Sequence, residues 1–253
     1  MKSQLRKIPG FKSLRRFQFQ LKISKAKFQK KEIVHFLHIG KTAGTAIKDA
    51  LGNQRMYETK SHLVILEQHP FRFSHVPDDH KTYFVVRDPI SRFVSGFYSR
   101  YREGQPRLYN PWKPAEKEAF ERFPKPNLLA EALSNDDQEE KAAAEKGMNS
   151  IGHVSTSYWN WFHNEQYLIE NLKMIAIVLK QEELTQDFDY LKEKFNIKNA
   201  SLTKDPVKAH KNSNTFDKKL SDKAIQNLKK WYEDDYRFLN LLYNHGLINR
   251  SYQ

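Results

Sequence analysis

The sequence predicts an α/β fold: one domain in which a central, mainly parallel sheet is flanked by helices. Three observations carry this. Short apolar runs recur at Ile33–Ile39, Leu63–Leu66, Tyr83–Val86 and Met174–Leu179, separated by helical patterns. Continuous rather than alternating runs are what strands buried on both faces require. The first run passes directly into Gly40-Lys41-Thr42-Ala43-Gly44-Thr45 and then into a helix, a strand–turn–helix unit. Finally, 253 residues, 39% of them hydrophobic, suffice for one core that buries about three-quarters of the unfolded surface.

Taken in order, residues 1–31 form a basic N-terminal arm and residues 32–253 the domain. The arm holds Lys2, Arg6, Lys7, Lys12, Arg15, Arg16, Lys22, Lys25, Lys27, Lys30 and Lys31, and neither Asp nor Glu. Within it, Phe17 to Ser24 alternates with period two, which reads as a strand or as a segment lying on another surface. A flexible solvated arm is the plainer alternative. The helix after the glycine–lysine turn runs through Ala46 and Ile47 and ends at Gly52. Further helical patterns occupy 88–103, 116–123, 127–148, 156–171, 184–195 and 221–243. Ser221 is the N-cap of the last, and Gly246 lies just beyond its end. The stretch 104–115, with Gly104, Pro106, Pro111 and Pro114, reads as an exposed excursion.

Composition excludes several classes of function. The chain has no cysteine, which removes disulfides, thiolate nucleophiles and Cys-ligated zinc. No apolar run reaches the length of about 18 residues that marks a membrane-spanning helix. The net charge of +13 suggests a polyanion binder until it is located. Of the 43 basic residues eleven fall in the arm, so the remaining chain carries 32 against 30 acidic ones. The surplus belongs to the arm and the body is nearly neutral.

Two elements of that body carry anion-binding chemistry. In the turn at 40–45, glycines allow backbone N–H groups to converge on an anion, the following helix adds its N-terminus, and Lys41 adds a charge. The GxxxxGK[ST] arrangement of nucleoside triphosphatases fails, because His35 stands where its first glycine belongs. The turn by itself also fits a plain strand-to-helix connection. The second element starts at Arg87-Asp88-Pro89, where Asp88 is an N-cap and Pro89 fits the first helical position. Arg87 lies at a strand's carboxyl end, where open α/β sheets bind ligands. It offers a guanidinium fork to phosphate, and Ser95 a hydroxyl. By itself, Arg87 also fits an ordinary salt bridge.

Together the two elements resemble those of PAPS-dependent sulfotransferases, whose donor is 3′-phosphoadenosine-5′-phosphosulfate. Phe36 to Ile47 looks like the family's 5′-phosphosulfate loop. Val86 to Gly96 looks like its 3′-phosphate element, with the Arg87-to-Ser95 spacing kept. The likeness extends to Val178–Leu184, to Ala209–Ser213 and to Tyr232–Tyr236, and is strongest to the carbohydrate branch that includes heparan sulfate 2-O-sulfotransferase and bacterial relatives. It covers 33–245 and implies a P-loop-like three-layer domain. It implies that Gly40, Lys41, Thr42, Ala43, Gly44, Thr45 and Ala46 hold the 5′ end of the donor, with Thr42 and Thr45 hydroxyls reaching its phosphate. Arg87 and Ser95 would hold the 3′-phosphate, and no metal is needed.

The reaction implied is in-line sulfuryl transfer to a hydroxyl, with Lys41 opposite the oxygen that bridges sulfur and the leaving phosphate. A hydroxyl acceptor needs a base. The resemblance places it after the strand between the two phosphate elements: His69 is the first candidate and His75 the second, with His62, just ahead of the second apolar run, and Glu67 the others. His38, inside the first strand, reads as packing. The acceptor expected is a saccharide or glycan. Arg102, Arg107, Tyr109, Trp112 and Lys113 suit an anionic sugar face as well as they suit a solvated loop, and Trp159 and Trp161 either line the cleft or fill the core. No specific nucleic acid is expected. The chain is expected in the cytoplasm, held peripherally at an anionic inner membrane by residues 1–31. The alternatives are a membrane- or polyanion-binding protein working through the arm, and a nucleotide-phosphate kinase.

Overall fold

A computed structural model describes residues 11–106, 108–203, 216–249 and 252. Helix α1 (Phe11–Phe28) opens the described chain and turns at Lys30 into β1 (Glu32–Leu37). The strand read from the alternation at 17–24 is therefore corrected to helix. No proline or glycine interrupts 11–28, and Lys, Arg, Gln, Leu and Ala there are good helix formers. Phe19, Ile23 and Ala26 lie on one helical face and pack with Ile33, Leu63 and Ile65. This part of the arm is thus a helix docked on the sheet.

From β1 the chain passes through α2 (Gly44–Ala50) to β2 (Met56–Glu58), β3 (His62–Leu66) and β4 (Lys81–Val86). Then follow α3 (Pro89–Tyr101), α4 (Pro114–Arg122), α5 (Pro126–Ala132), α6 (Gln138–Ser150), α7 (Trp159–Phe162) and α8 (Glu165–Glu170). Strand β5 (Ile175–Lys180), α9 (Leu184–Lys194), α10 (Asp222–Trp231) and α11 (Glu233–Asn244) complete the domain. The sheet order is β2-β3-β1-β4-β5, parallel except for β2, an antiparallel edge strand too short to show in the sequence.

The sheet is the middle of three layers. On one face Val34, Phe36, Val64, Tyr83 and Val85 meet Ile47 of α2 and Phe188 and Leu191 of α9. On the other, Leu37, Phe84 and Val86 join a larger core with Phe93, Phe97, Phe162 and Phe238, and α1 covers the β1–β3 side. Three predicted helices are each two. Asp137 recaps the chain at α6 by accepting from Glu139 N, and Asn164 does so at α8 by accepting from Tyr167 N. The long C-terminal helix breaks at Tyr232, whose hydroxyl donates to the carbonyl of Val154. Among the described residues no helix is long and apolar enough to cross a membrane.

The site is positioned by one topological fact. Strands β1 and β4 are parallel neighbours, and the chain crosses β1 between β3 and β4. Their carboxyl ends therefore release the turn at 40–45 and the Arg87 segment side by side, at a switch point of the strand order.

Candidate active site

The turn after β1 is held from behind. Arg92 donates from Nε to the carbonyl of Gly40 at 3.0 Å, and Arg87 from Nη1 to the carbonyl of Lys41 at 3.3 Å. Lys41 and Ala43 take the left-handed conformation, with φ of 67° and 72°. The glycine that matters most is Gly44, and for a steric reason: a Cβ there would stand 2.2 Å from Cδ2 of His38. Thr42 is buried and donates its hydroxyl to the carbonyl of Ile39 at 3.1 Å. The expectation that this hydroxyl reaches a phosphate is thereby corrected, since the turn uses it internally.

Arg92 is the strut of the arrangement. It is buried, forms an ion pair with Asp235 Oδ2 at 3.0 Å, and donates to the carbonyl of Thr156 at 2.6 Å. Asp235 also accepts from the hydroxyl of Ser157 and from Tyr158 N. Burial holds its carboxyl above the ordinary value against the pull of Arg92. Arg92→Met is expected to destabilise the chain by about 3–5 kcal/mol, the usual result of removing one partner of a buried pair. Urea unfolding checks this, and Asp235→Asn in the same chain should recover part of the loss.

A cleft of about 780 Å³ opens at the carboxyl edge of the sheet. Lys41, Ala43, Gly44, Thr45 and Ala46 line it from the turn, Arg87, Ser91, Ser95 and Arg102 from the facing side. Arg87 is fixed by donating from Nε to Ser91 Oγ at 2.8 Å, and its carbonyl accepts from the hydroxyl of Tyr158 at 2.6 Å. Asp88 caps α3 as expected, accepting from Ser91 N at 2.7 Å. Ser95 is a buried residue one turn beyond Ser91. Gly40 lies behind the turn, against a second cavity. Burial, with Arg102 and Arg87 close by, lowers the Lys41 amine to about 7. A cleft that disfavours the charge of its own lysine is short of negative charge, and an anion would restore it.

Of the candidate bases, His69 alone lines this cleft. Its Nδ1 lies 3.0 Å from the carbonyl of His38. A carbonyl only accepts, so Nδ1 carries the proton and Nε2 keeps its lone pair. The ring stacks on His38 with centroids 3.8 Å apart. The His69 carbonyl accepts from Arg72 and from Trp161 Nε1, at 2.7 and 3.2 Å. Burial, followed by Lys48, lowers its pKa despite the bond to His38, leaving the ring neutral at neutral pH.

The other candidates stand elsewhere. His75 is exposed outside the cleft; its Nδ1 accepts from Arg72 N at 3.1 Å and its ring meets Phe71 edge-on. His62 opens β3, at the end of the sheet away from the cleft, beside Glu32. Glu67 is buried, its carboxylate hydrogen-bonded to His35 at 3.0 Å and its carbonyl to Lys48. His38 both packs and lines the cleft. The histidine that sequence reasoning missed is His153, in the turn after α6 with φ of 68°. It lines both the cleft and the second cavity, and burial, with Lys41 next, holds it neutral with a pKa lowered to about 3. The helical glycine Gly96 was its signal: a Cβ there would come within 3.2 Å of His153 Cβ.

The second cavity, of about 360 Å³, adjoins the first through His69 and His153. Trp161 and Arg72 line it, the guanidinium lying 5.5 Å from the indole centroid. Trp159 instead packs on Phe238 and donates to the carbonyl of Asp234. The reading of Trp112 as a sugar face is corrected. It packs on Tyr101 and Phe120 and donates to the carbonyl of Arg100, which forks onto Glu116 with two bonds of 2.7 Å. Tyr109 is exposed. Arg107 and the Ala209–Ser213 segment lie outside the described residues. Among those described, no group of three or more His, Asp and Glu is placed to hold a metal ion.

Two comparisons with known proteins bear on this geometry. A family model described as the sulfotransferase family matches residues 24–244. No curated protein matches the chain.

Proposed function

The chain belongs to the sulfotransferase family, and on that premise we propose that it moves a sulfuryl group from PAPS to a hydroxyl of a saccharide or similar small acceptor. The observation that carries the reading is that Lys41 and Arg87 face a single cleft, the first on the turn after β1 and the second at the end of the neighbouring strand. A nucleotide with phosphate at its 5′ and 3′ positions needs two anion sites on one sheet edge. The Lys41 amine, lowered to about 7 by burial and then by Arg102 and Arg87, supports this reading, because an anion beside it would restore its charge.

PAPS, when bound, supplies an activated sulfuryl group and a phosphate leaving group. The turn at 40–45 holds the 5′ end, and Lys41, charged in that complex, stabilises the oxygen that gains charge as the sulfur leaves it. Arg87 grips the 3′-phosphate with its guanidinium, and Ser95 adds a hydroxyl donor. His69 takes the acceptor's proton at Nε2. The second cavity, on the far side of His69, is where the acceptor hydroxyl enters. Trp161 and Arg72 in its wall suit a sugar that carries negative charge.

Adenosine 3′,5′-bisphosphate, the product nucleotide, tests this without knowledge of the acceptor. At 100 times its dissociation constant it should stabilise the chain by about 2.7 kcal/mol, read as a rise in melting temperature. AMP at the same concentration should add much less. No preference for the bisphosphate would sink the reading, and a larger shift with ATP would turn it toward a nucleotide-phosphate kinase.

A further inference from the structure

We propose that α1 is a surface-docking helix that seats the chain on an anionic lipid bilayer. The helix is apolar on two opposite sides. At about 100° per residue, Phe19, Ile23 and Ala26 share one side, and that side is spent on the sheet. Leu14, Phe17, Leu21 and Phe28 fall within an arc of about 60° on the other. These four stay in solvent, with 54%, 61%, 52% and 89% of their surfaces exposed. A stripe of two phenylalanines and two leucines along one helix, pointing away from the body, is far from the scattered single apolar residues of ordinary surfaces.

The charges around the stripe identify its partner. Arg16, Lys22 and Lys25 are exposed on the same helix, and residues 1–31 contain no acidic side chain. Lys27 of the helix and Lys31 just beyond it pair with Asp79 and Glu58 of the body, and the apolar contacts of Phe19, Ile23 and Ala26 dock the helix while its outer side stays open. A second copy of the chain would bring the same positive charge against this one. A nucleic acid or other polyanion would answer the cations and leave the apolar stripe in water. An anionic bilayer satisfies both: Phe and Leu enter the headgroup–acyl boundary, and Lys and Arg stems reach back to the lipid phosphates. The helix need not fold at the membrane, because the sheet already holds it in shape.

Vesicle co-sedimentation of the full chain tests this with no substrate present, so its outcome is separate from that of the proposed enzymatic activity. The chain should bind phosphatidylcholine vesicles containing phosphatidylserine at least about tenfold more tightly than pure phosphatidylcholine. Phe17→Asp with Leu21→Asp should reduce that binding by at least about tenfold. The melting temperature should hold, because both side chains are exposed. Equal binding to the two kinds of vesicle would overturn the proposal. So would undiminished binding by the double variant, which would leave charge alone as the cause. A dimer in solution that the double variant splits would assign the stripe to a second copy instead.

Discussion

Lys41→Met is expected to lower the rate of sulfuryl transfer by about 10²–10³-fold, the usual cost of removing one preorganised group from a site of developing negative charge. Methionine keeps the length and packing of the side chain and removes the amine. The same variant has a second consequence that needs no acceptor. In the free chain, burial, Arg102 and Arg87 hold the amine at about 7. A phosphate bound beside it would raise that pKa, so binding of adenosine 3′,5′-bisphosphate should take up a proton wherever the free amine is neutral and the bound amine charged. That window opens above about pH 7, and affinity falls as pH rises through it. Below it the amine is charged in both states and no uptake occurs. Calorimetry in buffers of different ionisation enthalpy at about pH 8 should detect the proton, and Lys41→Met should lose it. Uptake that survives the substitution would assign the proton to another group.

Much of this arrangement is legible in the sequence, for physical reasons that differ from part to part. Strands β1, β3, β4 and β5 are covered on both faces, so each is a continuous apolar run with a clear limit. The turn at 40–45 and the Asp88 cap are local, and their chemistry is written in adjacent residues. Helix α1 misleads because it has two apolar sides. Phe17, Phe19, Leu21 and Ile23 alternate along the chain, yet the helix sends Phe19 and Ile23 to the sheet and leaves Phe17 and Leu21 in solvent. Edge strand β2 is too short to show any period.

What stays hidden is long-range. Arg92 and Asp235 are 143 residues apart, and neither has a neighbour in sequence that announces the pair. Reading α3 locally draws attention to Arg87 and its serines and passes over the arginine that braces the turn. His153 is hidden for a related reason. It enters the site from the end of α6 and packs closely on Gly96, where a Cβ would stand 3.2 Å from its own Cβ. By its position inside the first strand, His38 reads as a packing residue. It does pack, but under Gly44 and against His69, so its packing shapes the cleft.

His69→Asn is expected to reduce turnover by about 10²–10⁴-fold, the range a positioned general base supplies. Asparagine separates two roles of the imidazole. Its amide can still donate to the carbonyl of His38, as Nδ1 now does at 3.0 Å, so the segment between β3 and Phe73 keeps its anchor. It has no counterpart to the lone pair on Nε2. If that lone pair accepts the acceptor's proton, the damage falls on kcat, and the affinity for adenosine 3′,5′-bisphosphate stays within about twofold. The pH profile distinguishes a base from a positioning residue. The His69 pKa is lowered, so the wild-type rate should hold through neutrality and fall only as pH drops below the ordinary histidine range, where the ring protonates. In His69→Asn the small residual rate should lose that acid-side fall. The acceptor for these measurements is the one that labels most strongly when radiolabelled PAPS is offered to a panel of anionic glycans. A variant with near-normal turnover, or one that keeps the acid-side fall, would remove His69 from the reaction and leave its bond to His38 as a structural contact.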